Sequence, residues 1–230
     1  MNVWKSPILY VGIAIALIVG GLVIAPWFID WNGYRGKLES FGESLTGRQV
    51  TIAGDISARL FPWPRLRVEG LRITNPDGAM MPELLRAQAV EAEFLLSPLF
   101  SGDFEISAII IDKPIIGLER LEKGGASWML TPKQGESLLP DNISFADISL
   151  RDGTVFLSDG IAGGTRELEN FDAALSAPAL HGPWKLRGTF THRQTRIALS
   201  ASTGRMEAGQ PLLFGFRLRP ETSGGYDVYF

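Results

Sequence analysis

The chain of 230 residues contains no cysteine, which excludes disulfides, thiol catalysis and cysteine-ligated metal. Histidine occurs only as His181 and His192, and neither has partners at metal-ligand spacing. No Gly-x-Ser-x-Gly elbow, phosphate loop or dinucleotide fingerprint occurs, so hydrolase and nucleotide chemistry lack their local geometry. Lys plus Arg number 22 against 25 Asp plus Glu, for a net charge of −3 without a long basic run. Nucleic acid is therefore not an expected partner. Asp147, Asp152 and Asp159 cluster where turns are expected, the ordinary place for short carboxylates. No catalytic residue, cofactor or metal is predicted, and the chain is not expected to be an enzyme.

What is present begins with an uncharged apolar run over residues 8–25. As a helix it spans roughly 27 Å, close to the hydrocarbon thickness of a bilayer. A cleaved secretory signal is the alternative, with Val23 and Ala25 as small residues before a cut. Pro26 would then begin the mature chain, followed by bulky Trp27 and Phe28, which favours an uncleaved anchor. Trp27, Phe28, Trp31 and Tyr34 crowd one end of the span as candidate membrane-interface residues, and Trp4 and Tyr10 flank the other. Lys5 argues for a cytoplasmic amino terminus, although Arg35 and Lys37 reduce the asymmetry. The expected organisation is a cytoplasmic 1–7, an anchor 8–25, a juxtamembrane segment with an amphipathic helix 26–47, and a β domain 48–230.

Tyr34, Leu38, Phe41 and Leu45 recur at helical spacing, with Asn32 to cap the start and Gly47 the end. This helix packs on the domain or lies on lipid; its modest charge favours packing. From Gln49 the period becomes two. Val50 and Ile52, Leu66 and Val68, and Leu71 and Ile73 mark short strands broken by Gly54, the Phe61–Pro64 segment and Gly70. Trp63 is expected to plug a core gap. Residues 82–86 and 97–101 are expected as helical turns, and residues 104–121, rich in isoleucine, as a central, well-buried region. Asp152-Gly153 predicts a hairpin turn between Ile148–Arg151 and Thr154–Leu157.

Farther on, each strand has one wet and one apolar face. Trp184, Leu186 and Phe190 alternate with Lys185, Arg187 and Thr189; Ile197 and Leu199 alternate with Ser200; Phe214 and Phe216 alternate with Arg217. The apolar face is either covered by a second sheet, closed into a barrel, or left open to hold an apolar ligand such as a lipid chain. Tyr226, Val228 and Phe230 alternate to the final residue, so the chain is expected to be the N-terminal part of a longer protein; a terminus docked into the sheet is the alternative.

The series Trp31-Asn32-Gly33-Tyr34-Arg35, Leu38-Glu39, Thr46–Gly54 and Pro62–Leu66, continued by Gly70–Asn75, Leu96–Leu99, Ile109–Pro114 and Gly125–Trp128, resembles the amino-terminal region of the AsmA family. The resemblance implies an inner-membrane anchor and a periplasmic body of repeated antiparallel strands, similar to bridge-like lipid-transfer proteins. It also implies phospholipid transport toward the outer membrane and outer-membrane assembly; the alternative is a non-catalytic scaffold or regulator of protein targeting there, its strands closed on a self-filled core. The expected fold is mainly β: a transmembrane helix, one short amphipathic helix, then a curved, open antiparallel sheet. Its partners would be the inner membrane, phospholipid acyl chains and envelope proteins. The predicted lipid-groove lining is Trp184, Leu186, Phe190, Ile197, Leu199, Phe214 and Phe216.

Overall fold

A computed structural model describes residues 7–99, 105–130, 147–176, 183–204, 214–221 and 228–229. Trp4, Lys5, His181, Tyr226 and Phe230 lie outside the described residues. Helix α1 covers Pro7–Ile24, an uncharged run whose leucines, isoleucines and valines surround the axis. The span Tyr10–Phe28 has mean hydropathy 2.4 and is only 6% buried against the rest of the chain. A helix this apolar on all sides is left almost uncovered by the described residues and is long enough to cross a bilayer.

A turn of 3-10 helix, Ala25–Phe28, follows, with Pro26 pre-set for its start. A second such turn, Trp31–Tyr34, is capped by Asp30, whose carboxylate accepts the Gly33 amide at 3.3 Å. Asn32 is therefore not the cap: its Oδ1 accepts instead from Arg35 and from the Ile56 amide. Helix α2 then runs Arg35–Thr46 and stops at Gly47, which adopts φ 66° as expected of a left-handed terminus. It packs shallowly on the sheet, with no buried residue of its own. Contact is made where the chain lacks a side chain, since a Cβ on Gly42 would lie 3.1 Å from both Val50 methyls.

Twelve strands form one curved sheet. They are β1 Val50–Ile52, β2 Ile56–Arg59, β3 Arg65–Thr74, β4 Glu83–Phe94, β5 Ile106–Asp112 and β6 Ile115–Arg120. The rest are β7 Asp147–Asp159, β8 Thr165–Ser176, β9 Lys185–His192, β10 Thr195–Thr203, β11 Phe214–Pro220 and β12 Val228–Tyr229. Residues 83–86 thus extend β4 and are not helical, whereas Leu96–Leu99 makes the short helix α3. The order is β1-β3-β4-β5-β7-β8-β9-β10-β11-β12, with β2 beside β3 and β6 between β4 and β7. The two ends of this path do not pair, so the sheet is open.

Neighbours are antiparallel except at β7, which runs parallel to β5 and β6. The last two are halves of one strand line interrupted at Lys113-Pro114, and the crossover from Arg120 to Asp147 returns the chain to its starting end, as a parallel pairing requires.

The expected hairpin at Asp152-Gly153 is corrected: both residues lie within β7. The cause is in the neighbouring strand line. Lys113, at φ 46°, donates its amide to the Arg151 carbonyl, and the Pro114 carbonyl accepts the Thr154 amide. Asp152 takes φ 51° to bulge around this break, and a Cβ on Gly153 would come within 2.9 Å of Pro114 Cγ. On the far side of β7, Asn170 takes φ 48° in β8. The row of bulges bends the strands and shifts their alternation. Leu150 and Val155, five residues apart, consequently pack in one cluster with Leu168, Phe171, Ala173 and Phe190.

Two other expectations change. Trp63 is 62% exposed and fills no core gap; the neighbouring Pro64 is the buried residue, with its carbonyl bound by the Phe94 amide. β5 is central in the path, yet every one of its residues is only half-buried. Helix α2 does not cover it: its main contact with the sheet is at β1.

Candidate functional site

Directly paired residues on neighbouring strands project to the same face. One row therefore runs Ala58, Leu66, Ala92, Ile109, Ile148, Leu175, Leu186, Ala201, Phe216 from β2 to β11. Beside it runs Ile56, Val68, Val90, Ile111, Leu150, Ala173, Gly188, Leu199, Leu218. No polar side chain interrupts either row. Across the bulges a third apolar row, Val50, Ile73, Leu85, Ile116, Val155, Leu168, continues the face over the first strands.

At a strand spacing of about 4.8 Å, the eight steps from Ala58 to Phe216 make a track of roughly 38 Å. Most of its side chains are half-buried: they touch one another sideways and leave their upper surface uncovered. The tightest packing lies where Phe171 and Phe190 stack with centroids 6.4 Å apart.

Of the predicted lining, Trp184, Leu186, Phe190, Ile197, Leu199 and Phe216 fall on this face. Leu186, Leu199 and Phe216 are members of the two rows; Ile197 pairs with Phe190, and Trp184 accepts the Thr203 amide at the other end of the same strand. Phe214 is opposite Thr203 in register, two residues before Phe216. Alternation in β9, β10 and β11 reveals these positions; the earlier half of the rows, from Leu66 and Val68 to Ile148 and Leu150, lies outside the lining that the sequence predicts. Its local signal, the pairs Ile109/Ile111 and Ile148/Leu150, is present; the parallel pairing that joins them is not readable locally.

The other face is polar. At β3–β5, Arg65 pairs with Glu91 and Glu93 at 2.7 and 3.0 Å, and Arg67 with Glu69, Glu91 and Asp112. Desolvation opposes the Arg67 charge, but hydrogen bonds and the fields of Glu69 and Asp112 outweigh it and raise the pKa. Each strand thus has one face that water solvates and one that it does not.

Near the membrane span, Trp27 and Phe28 are 86% and 84% exposed, directly after α1. Trp31 has a structural partner: its Nε1 donates to the Pro26 carbonyl at 2.9 Å. Tyr34 remains exposed, with the Lys37 ammonium 5.5 Å from its ring centroid. Arg48 is structural, reaching the Met129 carbonyl at 3.3 Å.

The family model of the AsmA family matches residues 5–183. The chain belongs to the AsmA family. No curated protein and no solved structure matches it. The family match covers the helices and the sheet through β8, so the motif residues of this AsmA chain acquire physical roles from the model. Asn32, Arg35 and Glu39 bind the backbone of β1 and β2. Gly54 and Gly70 allow the β1–β2 connection to approach β3 closely, where a Cβ on Gly54 would meet Glu69 at 2.7 Å. Asn75 ties the 75–83 loop to Gly117.

Proposed function

We propose that this AsmA-family chain is an inner-membrane-anchored periplasmic protein that carries phospholipid acyl chains on the apolar face of its sheet, in transport toward the outer membrane and in outer-membrane assembly. The single observation that carries this reading is the pair of uninterrupted apolar rows with no covering layer among the described residues. A face of this length in water is unfavourable unless something apolar lies on it. An acyl chain suits it: each methylene removed from water contributes about 0.8 kcal/mol, so about ten contribute roughly 8 kcal/mol before ordering costs. A track of roughly 38 Å exceeds the hydrocarbon thickness of about 30 Å that two opposed acyl chains make up, which leaves room for a lipid to move along it. Headgroups stay in water beyond the half-buried rim. The protein has no catalytic part in this scheme; the groove lowers the barrier to moving an apolar chain through an aqueous space.

The placement in this reading is supported by α1 as a spanning helix and by the Lys5 charge, which favours a cytoplasmic amino terminus and a periplasmic sheet against the counterweight of Arg35 and Lys37. The scaffold reading, in which the strands close on a self-filled core, draws no support from the open sheet. The test is exchange of fluorescent phospholipid between vesicles carrying the full chain and acceptor vesicles. Exchange above the protein-free rate, lost in Leu150→Asp and Leu199→Asp variants that retain their β-sheet circular dichroism, is expected. Exchange no faster than without protein, or unchanged in both variants, would overturn the proposal.

A further inference from the structure

The β2–β3 connection carries two large apolar side chains that packing within the fold does not explain. Phe61 and Trp63 are 45% and 62% exposed, whereas Pro64, next in line, is buried and accepts the Phe94 amide at 2.9 Å. That bond sets the start of the β4–β5 connection beside the loop, where Leu95 and Leu96 are exposed as well. Four exposed apolar side chains thus stand on two neighbouring connections at one end of the sheet. Single apolar residues on a surface are ordinary, but a group of them on adjacent loops marks a place that meets something apolar. Pro62 and Pro64 fix φ on either side of Trp63, so presenting its ring costs little chain freedom.

The position of this end relative to α1 identifies what it meets. The span ends at Phe28, and Asn32, four residues on, already accepts the Ile56 amide at the start of β2. Four residues reach at most about 14 Å. Here they are drawn in further by the bond from Trp31 Nε1 back to the Pro26 carbonyl. The sheet is therefore held close to the end of the span by its β2 edge. From that attachment β2 runs Ile56–Arg59 to the loop, about 13 Å farther. Arg59, exposed at the end of the strand, puts a cation beside the loop, and the nearby carboxylates of Glu91 and Glu93 are already paired with Arg65. Aromatic rings with a cation beside them settle at the headgroup level of a bilayer.

We propose that the Phe61–Trp63 loop, with Leu95 and Leu96, is a second bilayer contact, inserted at the headgroup boundary of the membrane that α1 crosses. This rests on the reading of α1 as a spanning helix and does not require lipid transport. Within the transport scheme it has a use. Ala58 and Leu66, where the first apolar row begins, flank the loop, so the contact holds the start of the track at the depth where acyl chains begin.

The absence of native cysteine gives a clean test. Trp63→Cys, Leu96→Cys, Ile161→Cys and Leu17→Cys, each in the full chain, are labelled with the polarity-sensitive fluorophore NBD and reconstituted in phosphatidylcholine nanodiscs with or without acyl-chain nitroxide lipid. The label at 63 is expected to shift to shorter wavelength and to lose most of its emission to the nitroxide; the label at 96 gives the same reading with Trp63 intact. Ile161 is similarly exposed, but it lies in the β7–β8 turn at the other end of the strands and at least four strand spacings from β2, about 19 Å, so its label should keep its emission. Leu17, inside α1, separates the two readings. Quenching at 17 without quenching at 63 and 96 would overturn the second contact and leave the anchor standing, whereas no quenching at 17, 63 or 96 would overturn both. Equal quenching at 63 and 161 would also overturn the proposal, and so would a blue shift at 63 without quenching, which assigns the loop to a protein partner or a second copy of the chain.

Discussion

Glu39 Oε1 accepts the backbone amide of Ile52 at 2.8 Å. One helical turn earlier, Arg35 donates to the carbonyl of the same residue. β1 ends the strand path, so these are the groups that would otherwise face an open edge. Exposed edges invite pairing with other chains, and an i, i+4 pair of opposite charge on α2 closes this one. Removing one partner of such a bond costs about 1–2 kcal/mol. Glu39→Ala should therefore raise hydrogen exchange at the Ile52 amide by roughly tenfold, measured on the full chain in detergent. Unchanged exchange would show that the helix does not protect the strand.

Two glycines of the C-terminal strands should respond in opposite ways to the same substitution. A Cβ on Gly188 would lie 2.5 Å from the Asp172 carbonyl oxygen and 2.9 Å from Ala173 Cβ, whereas one on Gly215 meets nothing within 4 Å. Gly188→Ala is expected to destabilise the sheet by about 1–3 kcal/mol through overpacking. Gly215→Ala should be neutral or slightly stabilising, because it reduces unfolded-state freedom without a clash. Denaturant midpoints followed by β-sheet circular dichroism separate the two.

The contrast between local and long-range information runs through the fold. Trp184, Leu186 and Phe190 are legible as one face because their strand is wet on the other side, and period two needs no knowledge of neighbours. Gly47 is legible as a helix stop for a similar local reason. Asp152-Gly153 has the sequence of a hairpin turn because the residues that tolerate positive φ in a turn also tolerate it in a bulge. What decides between them is Pro114, far away in sequence and adjacent in space. The apolar rows are illegible for the same reason: Ile109 and Ile148 become neighbours only through the parallel pairing of β5 with β7. Trp63 shows the limit of composition, since its size suggests burial while the turn leaves it in solvent.

Asp159 organises the β7–β8 connection by accepting the Ala162 and Ile161 amides, and these bonds, aided by Arg120, hold its pKa below the ordinary aspartate value. A carboxylate depressed in the folded state stabilises the turn fully above its unfolded pKa, and that contribution is lost as pH falls through the folded value. A carboxyl-carbon NMR titration should place the Asp159 inflection below that of an unstructured aspartate, with the Ile161 amide shift following the same curve. An inflection at the ordinary value would refute the assignment.

The central claim is that lipid lies on one face of the sheet and not on the other, and adjacent residues of a strand report on the two faces separately. A photo-crosslinking amino acid placed at Leu150, Ser149, Leu199 or Ser200 of the full chain, irradiated in cells and followed by mass spectrometry of the adducts, reads this directly. The account predicts phospholipid adducts at positions 150 and 199 and none at 149 and 200, since paired rows place the first two on the apolar face and the others on the polar face. Adducts equally frequent at all four positions, or absent from 150 and 199, would contradict it.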